Sequence, residues 1–338
     1  MKEFESRINL DIPLEHLSKI VCNEYGLGEF KSNKLIEIGY EDYNYILTTD
    51  KGKFVVKVFS NDRTDNNAYE LAERASVAYG NGVSCPKIHK TRDNNSLLVL
   101  SLSNTEYRLL VMDYINGKDF FSLKELPNEK ELELIASELA KLNNIEYKPN
   151  FIYDKWAIVN FIQEYEKNIT LVDEEDRPLI DKAFNAFKSC DFTKLKYGFV
   201  HGDIIETNVI RDKQGKLFFI DFSVSNYLPR IVDLAVTICD LCLDLENIKM
   251  SKIRAEKFVK SYESVSPLSA YEKDCLRKFI VCHQAITILE TIREKKLESN
   301  DSEENEIFLQ KGKQGLRIVL EDNYIKELVK EQIWGITL

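Results

Sequence analysis

The segment 197–221 places polar and charged side chains between two short apolar runs. Asp203 and Asn208 lie in its polar part, five positions apart, and the segment ends on Asp221. A strand, a Gln-Gly turn and a return strand over 209–220 predict a hairpin, which would bring Asp221 back beside Asn208. Polar residues held between apolar flanks are typical of a functional site rather than of a core.

These three residues suit phosphoryl transfer from a nucleotide. That chemistry needs a carboxylate to orient an attacking hydroxyl and accept its proton, and oxygen ligands for the Mg²⁺ that bridges the phosphates. Asp203 is the candidate for the first role, and Asn208 and Asp221 are the candidates for the second. A solvated turn would also contain Asp and Asn, but it would not explain the apolar flanks.

The motifs carry a family resemblance. The run H-G-D-I-I-E-T-N at 201–208, with I-D-F-S at 220–223, resembles the catalytic and metal-binding motifs of the aminoglycoside phosphotransferase family, which is choline kinase-like. V-D-L-A-V-T at 232–237 resembles the D-L-A segment of that family, and the nearest likeness is to its homoserine kinase branch. The resemblance implies a protein-kinase-like fold, ATP or GTP as co-substrate, Mg²⁺, and supporting roles for His201 and Asp233.

Lys57 lies inside an apolar strand, F-V-V-K-V-F, where a charge is costly without a partner or a ligand. The alternative is an edge-strand lysine that points outward. By resemblance, Lys57 would hold the α and β phosphates, and a carboxylate of the next helix would hold Lys57. Glu70 is preferred over Glu73 for that role, although either could belong to a solvated helix face.

Two further segments are candidates for nucleotide contacts. The bend at 39–42 lies where nucleotide kinases place a loop over the phosphates, and Asn44 directly after it could contact phosphate oxygens. The bend is not glycine-rich, so an ordinary hairpin turn is an equal alternative. At the strand end near 109–117, the resemblance implies a hinge where backbone groups near Asp113 and Tyr114 meet the adenine edge.

The order of elements predicts the fold class. Strand patterns fill the first third and helical patterns the remainder, so we expect a bilobal α+β fold. Residues 1–115 would form a nucleotide-binding lobe with an antiparallel sheet and an amphipathic entry helix, and 116–338 a mainly helical catalytic and acceptor-binding lobe. The predicted helices of the second lobe are 129–142, 155–167, 173–187, 233–245, 252–265, 270–294 and 306–329. Three aromatic residues of the second of these helices could line the acceptor pocket or belong to the core: Trp156, Phe161 and Tyr165.

Composition restricts the classes of partner, the location and the use of the cysteines. The formal net charge is -10 and Lys and Arg are scattered, which argues against nucleic acid as a partner. An acidic cleft would favour a cationic or zwitterionic substrate, but net charge alone does not place acidic residues in the cleft. No apolar run approaches the roughly 20 residues that cross a bilayer, and the start lacks a signal-peptide core, so the expected location is the cytoplasm. The seven cysteines follow no disulfide framework. Cys239 and Cys242 form a C-x-x-C in an apolar helical stretch, which predicts buried packing.

The sequence therefore predicts an ATP- or GTP-dependent, homoserine kinase-like enzyme that phosphorylates a hydroxyl of a small molecule. Phosphorylation of an aminoglycoside or another antibiotic, of methylthioribose or of choline remains an alternative, as does a catalytically silent nucleotide-binding protein. A protein kinase is disfavoured because 221–233 is too short for an activation segment. Arg230 could contact an acidic group of the acceptor or a neighbouring carboxylate. The sequence does not fix the oligomeric state.

Overall fold

The computed structural model describes residues 10, 12–36, 42–61, 63–102 and 105–321. The chain divides into two compact units. The first comprises Met1–Lys118 and Ile210–Ser223, and the second comprises Asp119–Val209 and Val224–Leu338. The segment 210–223, which contains Asp221, therefore belongs to the first unit although it follows half of the second unit in sequence.

The described residues contain ten strands. Their bounds are β1 Phe30–Ile36, β2 Tyr43–Thr49, β3 Gly52–Val58, β4 Leu98–Leu102, β5 Thr105–Asp113, β6 Gly117–Asp119, β7 Tyr197–Val200, β8 Val209–Asp212, β9 Leu217–Phe219 and β10 Asn226–Pro229. The first five form one antiparallel sheet in the order β1-β2-β3-β5-β4. The other two sheets have the orders β6-β8-β9 and β10-β7.

The α-helices of the described residues are α1 Leu14–Glu24, α2 Asp65–Gly80, α3 Phe120–Leu123, α4 Glu129–Asn143, α5 Phe161–Asn168, α6 Arg177–Lys188, α7 Ile231–Thr237, α8 Ile248–Glu263, α9 Ala270–Leu297 and α10 Glu303–Glu321. A π-helical turn at Ile238–Cys242 follows α7 directly. An antiparallel sheet in the first part of the chain followed by helices confirms the predicted α+β class. None of the helices within the described ranges is both long enough and apolar enough to cross a bilayer.

The five-stranded sheet has one face packed against α1. Because side chains alternate along a strand, Val56 and Val58 of β3 point into this core, where they join Leu17 and Val21 of α1. This packing confirms the predicted role of the entry helix. Lys57, between the two valines, then lies on the opposite face of the sheet.

The β8–β9 hairpin is attached to the first unit through the segment that follows α2. The Phe219 N–H donates to the Ser84 carbonyl (2.8 Å), and the Ser84 hydroxyl donates to the Leu217 carbonyl (2.5 Å). These bonds fix the end of β9, two residues before Asp221. The hairpin predicted from the sequence is therefore present, and it places Asp221 within the first unit.

Helix boundaries in the second unit differ from the prediction at several places. The predicted helix at 233–245 begins at Ile231 and changes to a π-helical turn at Ile238, and the one predicted at 252–265 begins at Ile248. The predicted helix at 155–167 becomes a 3-10 turn and then α5, because the Asp154 carboxylate accepts from the Trp156 N–H (3.0 Å) and holds a turn that is not helical. The helix predicted from residue 173 begins at Arg177, with a proline in its first turn. The last predicted helix begins at 303, and its predicted end at 329 lies outside the described residues.

The C-x-x-C pair lies in the π-helical turn. Cys239 and Cys242 are both buried there, as predicted, and the Cys239 thiol contacts the Ile280 carbonyl of α9 at 3.5 Å. They pack this turn against the long central helix of the second unit.

Candidate active site

The loop 201–208 connects β7 to β8, and its start is held by Asp233 of α7. The Asp233 carboxylate accepts hydrogen bonds from the Gly202 N–H (2.7 Å), the His201 N–H (3.1 Å) and the Asn143 side-chain amide (2.7 Å). Asp233 is fully buried, and burial raises the pKa of its carboxyl from 3.8 to about 6 against the opposing effect of these donors. Because two of the three donors are consecutive backbone groups, Asp233 fixes the direction in which the chain enters the loop.

Within the loop, Asn208 is hydrogen-bonded to Asp203. The Asn208 Nδ2 donates to Asp203 Oδ2 (2.7 Å) and to the Asp203 carbonyl (3.0 Å). The Asp203 N–H in turn donates to His201 Nδ1 (3.3 Å). These contacts orient the Asp203 carboxylate and use the amide hydrogens of Asn208, which leaves Asn208 Oδ1 as the oxygen that could serve a metal ion.

The far end of the loop is held at Glu206. Its N–H donates to Asp240 Oδ1 (2.5 Å), its carbonyl accepts from the Phe121 N–H (3.2 Å), and its carboxylate pairs with Lys311 Nζ (2.9 Å). Burial, together with the charge of Glu206, raises the pKa of the Asp240 carboxyl to about 7. Asp240 and Lys311 were not predicted from the sequence. The available signal was that Asp240 lies seven positions after Asp233, two helical turns further along the same helical run.

In the first unit, Lys57 is held between two carboxylates. Lys57 Nζ lies 3.0 Å from Asp221 Oδ1 and 3.6 Å from Asp42 Oδ2, and the lysine side chain is only 10% exposed. Burial lowers the pKa of Lys57, but the two carboxylates outweigh it and hold that pKa above its ordinary value. Because β3 lies between β2 and β5, Lys57 is on a central strand and not on an edge strand.

The carboxylate partners of Lys57 correct one expectation. Among the described residues they are Asp221 and Asp42, and neither Glu70 nor Glu73 of α2 is one of them. Asp42 comes directly before β2, and in the β2–β3 register Asn44 lies opposite Lys57. Since residues two apart share a face of a strand, Asp42 is presented on the lysine side of the sheet without any contribution from the helix.

Asp42 is itself firmly held. Its side chain is 4% exposed, and its Oδ1 accepts from Arg63 Nε (2.8 Å) and from the Ser60 N–H (3.2 Å). The predicted phosphate loop at 39–42 lies outside the described residues except for Asp42 itself.

Asp221 occupies an unusual backbone conformation. Its φ is 62°, in the left-handed region that Asp tolerates better than most residues. Its carboxylate accepts from the Ser223 N–H (3.2 Å), and its side chain is 37% exposed. The turn at the end of β9 thus presents a partly accessible carboxylate next to Lys57.

The predicted hinge residues have contacts of their own. The Asp113 carboxylate lies 2.7 Å from His89 Nε2, and the Asp113 N–H donates to the Lys87 carbonyl (3.0 Å). Tyr114 packs under Lys53, whose Nζ lies 5.5 Å from the ring centroid. Because the N–H of Asp113 is already used, an adenine edge would have to meet other backbone groups of this segment.

Arg230 contacts a neighbouring carboxylate, one of its two predicted partners. It pairs with Glu272 through two bonds, Nε to Oε1 (2.7 Å) and Nη2 to Oε2 (2.9 Å), and both side chains are almost fully buried. Its remaining donors bond the Ser266 hydroxyl (2.6 Å) and the Pro267 carbonyl (2.5 Å). Every nitrogen of the guanidinium is thus engaged within the second unit.

Of the aromatic residues of α5, Phe161 belongs to the core, whereas Tyr165 is only partly buried. Phe161 is fully buried and contacts Phe187 edge-on, with ring centroids 6.0 Å apart. Tyr165 stacks on Phe184 at 4.1 Å, and its hydroxyl donates to Asp181 (2.6 Å). Trp156 lies outside the helix and is partly exposed.

The chain resembles known proteins in sequence and in structure. Residues 32–257 match the model of the phosphotransferase enzyme family, APH. Homoserine kinase of Cupriavidus pinatubonensis is 26% identical over 282 residues, which cover 75% of this chain and 79% of that protein. Homoserine kinase of Neisseria meningitidis is 26% identical over 257 residues, which cover 74% and 79%.

Solved structures show the same fold. The amicoumacin kinase hAmiN, in complex with AMP-PNP, Ca²⁺ and Ami, has a TM-score of 0.69 at 14% identity and covers 93% of this chain and 95% of its own. A microcompartment-associated aminopropanol kinase has a TM-score of 0.68 at 13% identity and covers 94% and 99%. These similarities confirm the predicted protein-kinase-like fold.

The family model spans about two thirds of the chain, and its matched segment includes Lys57, the 201–208 loop and Asp221. The prediction of a small-molecule phosphotransferase is thereby confirmed at the level of the family. The chain belongs to the APH phosphotransferase enzyme family.

Proposed function

We propose that this phosphotransferase is a Mg²⁺-dependent kinase that transfers the γ-phosphoryl group of ATP or GTP to the hydroxyl of a small amino-bearing molecule, with homoserine as the first acceptor to test. The observation that carries the proposal is the bonded pair of Asp203 and Asn208 on a loop anchored by Asp233. An ordinary turn would not require a buried carboxylate to hold two of its backbone N–H groups.

Asp203 is the proposed catalytic residue. Its carboxylate orients the acceptor hydroxyl and receives the hydroxyl proton while the phosphoryl group transfers. Asn208 holds one carboxylate oxygen, Oδ2, at 2.7 Å, so the orientation of the carboxylate is set before the acceptor arrives. Such pre-organisation is how a kinase gains rate, because phosphoryl transfer depends on positioning and charge stabilisation.

The first unit is the proposed nucleotide-binding unit, and Lys57 is the main residue proposed to contact the nucleotide. Its ammonium would bind phosphate oxygens on the face of the sheet away from α1, where Asn44 lies opposite it. Tyr114 and the segment around Asp113 would receive the adenine base. The acceptor would be bound by the second unit.

Each of the two proposed metal ligands suits Mg²⁺ by its own chemistry. Asp221 offers a partly exposed carboxylate and Asn208 an amide oxygen, and hard oxygen ligands are what this ion prefers. Bound Mg²⁺ supplies charge neutralisation at the phosphates. One structural relative, the amicoumacin kinase, was solved with a nucleotide analogue and a divalent ion, which supports the same pairing here.

The acceptor proposal rests on the sequence relatives. The homoserine kinases cover about three quarters of this chain, whereas the antibiotic and amino-alcohol kinases share the fold at identities below 20%. Homoserine carries an amino group, which an acidic cleft would favour. A catalytically silent protein is disfavoured because Lys57, Asp203, Asn208 and Asp221 are all present.

An acceptor-dependent nucleotide consumption assay tests the proposal. The purified protein is supplied with Mg²⁺ and either ATP or GTP, and with homoserine, choline, ethanolamine, 1-amino-2-propanol or spectinomycin as acceptor. We expect turnover with homoserine and a phosphorylated product by mass spectrometry. Turnover with an antibiotic alone would overturn the acceptor assignment, and nucleotide binding without turnover on any acceptor would favour the silent alternative.

A further inference from the structure

The two carboxylates beside Lys57 differ in their surroundings. Asp221 is 37% exposed, has a left-handed backbone and is a proposed metal ligand. Asp42 is 4% exposed, and Arg63 and the Ser60 N–H bond its Oδ1, the oxygen other than the one near the lysine. The environment of Asp221 therefore suits an exchangeable partner, whereas that of Asp42 suits a permanent one.

Binding of a metal–nucleotide complex would change which carboxylate holds Lys57 in place. The positive charge of a coordinated Mg²⁺ would offset much of the negative charge of the carboxylate, and the attraction of that carboxylate for a neighbouring ammonium would weaken accordingly. Lys57 would then depend on its other carboxylate to stay aligned. Kinases of this general fold meet that need with a helix carboxylate, but the described contacts of Lys57 include none from α2.

We infer that Asp42, braced by Arg63, is the positioning residue that keeps Lys57 aligned on the phosphates once Asp221 is engaged by the metal–nucleotide complex. The inference rests on the proposed function, and it assigns to the start of β2 the task expected of Glu70. Asp42 makes no contact with the reacting atoms in this account and acts only through Lys57. Arg63 balances the charge of Asp42 and keeps its carboxylate from swinging into solvent.

The different roles of Asp42 and Asp221 predict how nucleotide binding depends on metal. Without metal, Asp221 at 3.0 Å is sufficient to hold Lys57, so loss of Asp42 should matter little. With metal, Asp42 is the remaining carboxylate, so its loss should weaken nucleotide binding much more. A charged hydrogen-bonding partner of this kind is typically worth about tenfold or more in affinity.

The test is calorimetric measurement of ADP affinity with excess Mg²⁺ and with a chelator, for wild type and Asp42→Asn. We expect Asp42→Asn to weaken binding by about tenfold or more with Mg²⁺ and by less than about threefold without it. Asp65→Asn is the matched control, since Asp65 pairs with Arg108 in the same unit but is far more exposed than Asp42. That control should bind ADP like wild type in both conditions.

Equal weakening with and without Mg²⁺ would show a merely structural role for Asp42, and affinity like that of the control in both conditions would show no role. Either result overturns the inference. If Asp42→Asn does not fold, Arg63→Gln replaces it and should weaken only the Mg²⁺-dependent binding, by roughly threefold or more. Because the readout is binding, it remains decisive if the wild type proves to have no acceptor-dependent turnover, which would refute the proposed function separately.

Discussion

Arg230 and Glu272 form a buried ion pair whose loss should destabilise the second unit. Arg230→Met removes four hydrogen bonds of 2.5–2.9 Å and leaves the Glu272 carboxylate, itself only 4% exposed, without its cation. Breaking a buried pair by removing one partner costs about 3–5 kcal/mol. For a unit of this size, each kcal/mol shifts Tm by about 2–4 °C. We therefore expect the Tm of Arg230→Met to fall by roughly 10 °C.

The assay is thermal unfolding followed by circular dichroism, with the Lys257→Met variant as control. Lys257 also pairs with an acidic residue, Glu129, but at the surface, so its Tm should stay near that of wild type. The double variant Arg230→Met/Glu272→Gln should recover part of the loss, because no lone charge remains buried.

The same variant decides between the two sequence-based interpretations of Arg230. A structural pair predicts a lower Tm and an unchanged KM for the acceptor at temperatures where the variant is folded. A Tm within about 2 °C of wild type, together with a raised KM for the acceptor, would refute this reasoning and assign Arg230 to substrate recognition.

Two further predictions concern the anchors of the 201–208 loop. Turnover should fall as the pH is lowered through about 6, because protonation of Asp233 removes an acceptor for the His201 and Gly202 N–H groups. A pH–rate profile checks this, and the profile of Asp233→Asn should lack the fall in turnover near pH 6. Because folding raises the pKa of Asp233 from 3.8, Asp233 contributes fully to the free energy of unfolding below that unfolded-state pKa, and this contribution is lost as the pH rises through about 6. Stability and activity therefore depend on pH in opposite directions here. Asp240→Ala should lower kcat by about tenfold, whereas Asp240→Asn, which keeps an acceptor oxygen for the loop, should lose less in steady-state assays; equal losses would contradict the anchoring role.

The part of the site that follows from local spacing could be predicted. Asp203 and Asn208 are five positions apart on one loop, and their bond forms within that loop. Lys57 stood out because a lysine between buried valines needs a partner wherever the strand lies. The entry helix and the hairpin before Asp221 followed from periodicity and from the turn residues.

Contacts between distant segments could not be predicted in the same way. Asp42 meets Lys57 because of the register between β2 and β3, and a helix glutamate was the more familiar choice. The partner of Arg230 lies 42 positions later, and no local pattern marks it. The spacing from Asp233 marks Asp240, but the backbone N–H that Asp240 accepts from lies 34 positions earlier, at Glu206, and no local pattern marks that partner.

The central claim is that Asp203 performs the proton transfer of a kinase. Its most direct test is single-turnover phosphoryl transfer to homoserine by wild type and Asp203→Asn, with nucleotide affinity measured alongside. We expect transfer to fall by about a thousandfold or more, within the range that a positioned base contributes, while nucleotide affinity changes by less than about threefold. Transfer by Asp203→Asn at the wild-type rate would contradict the account.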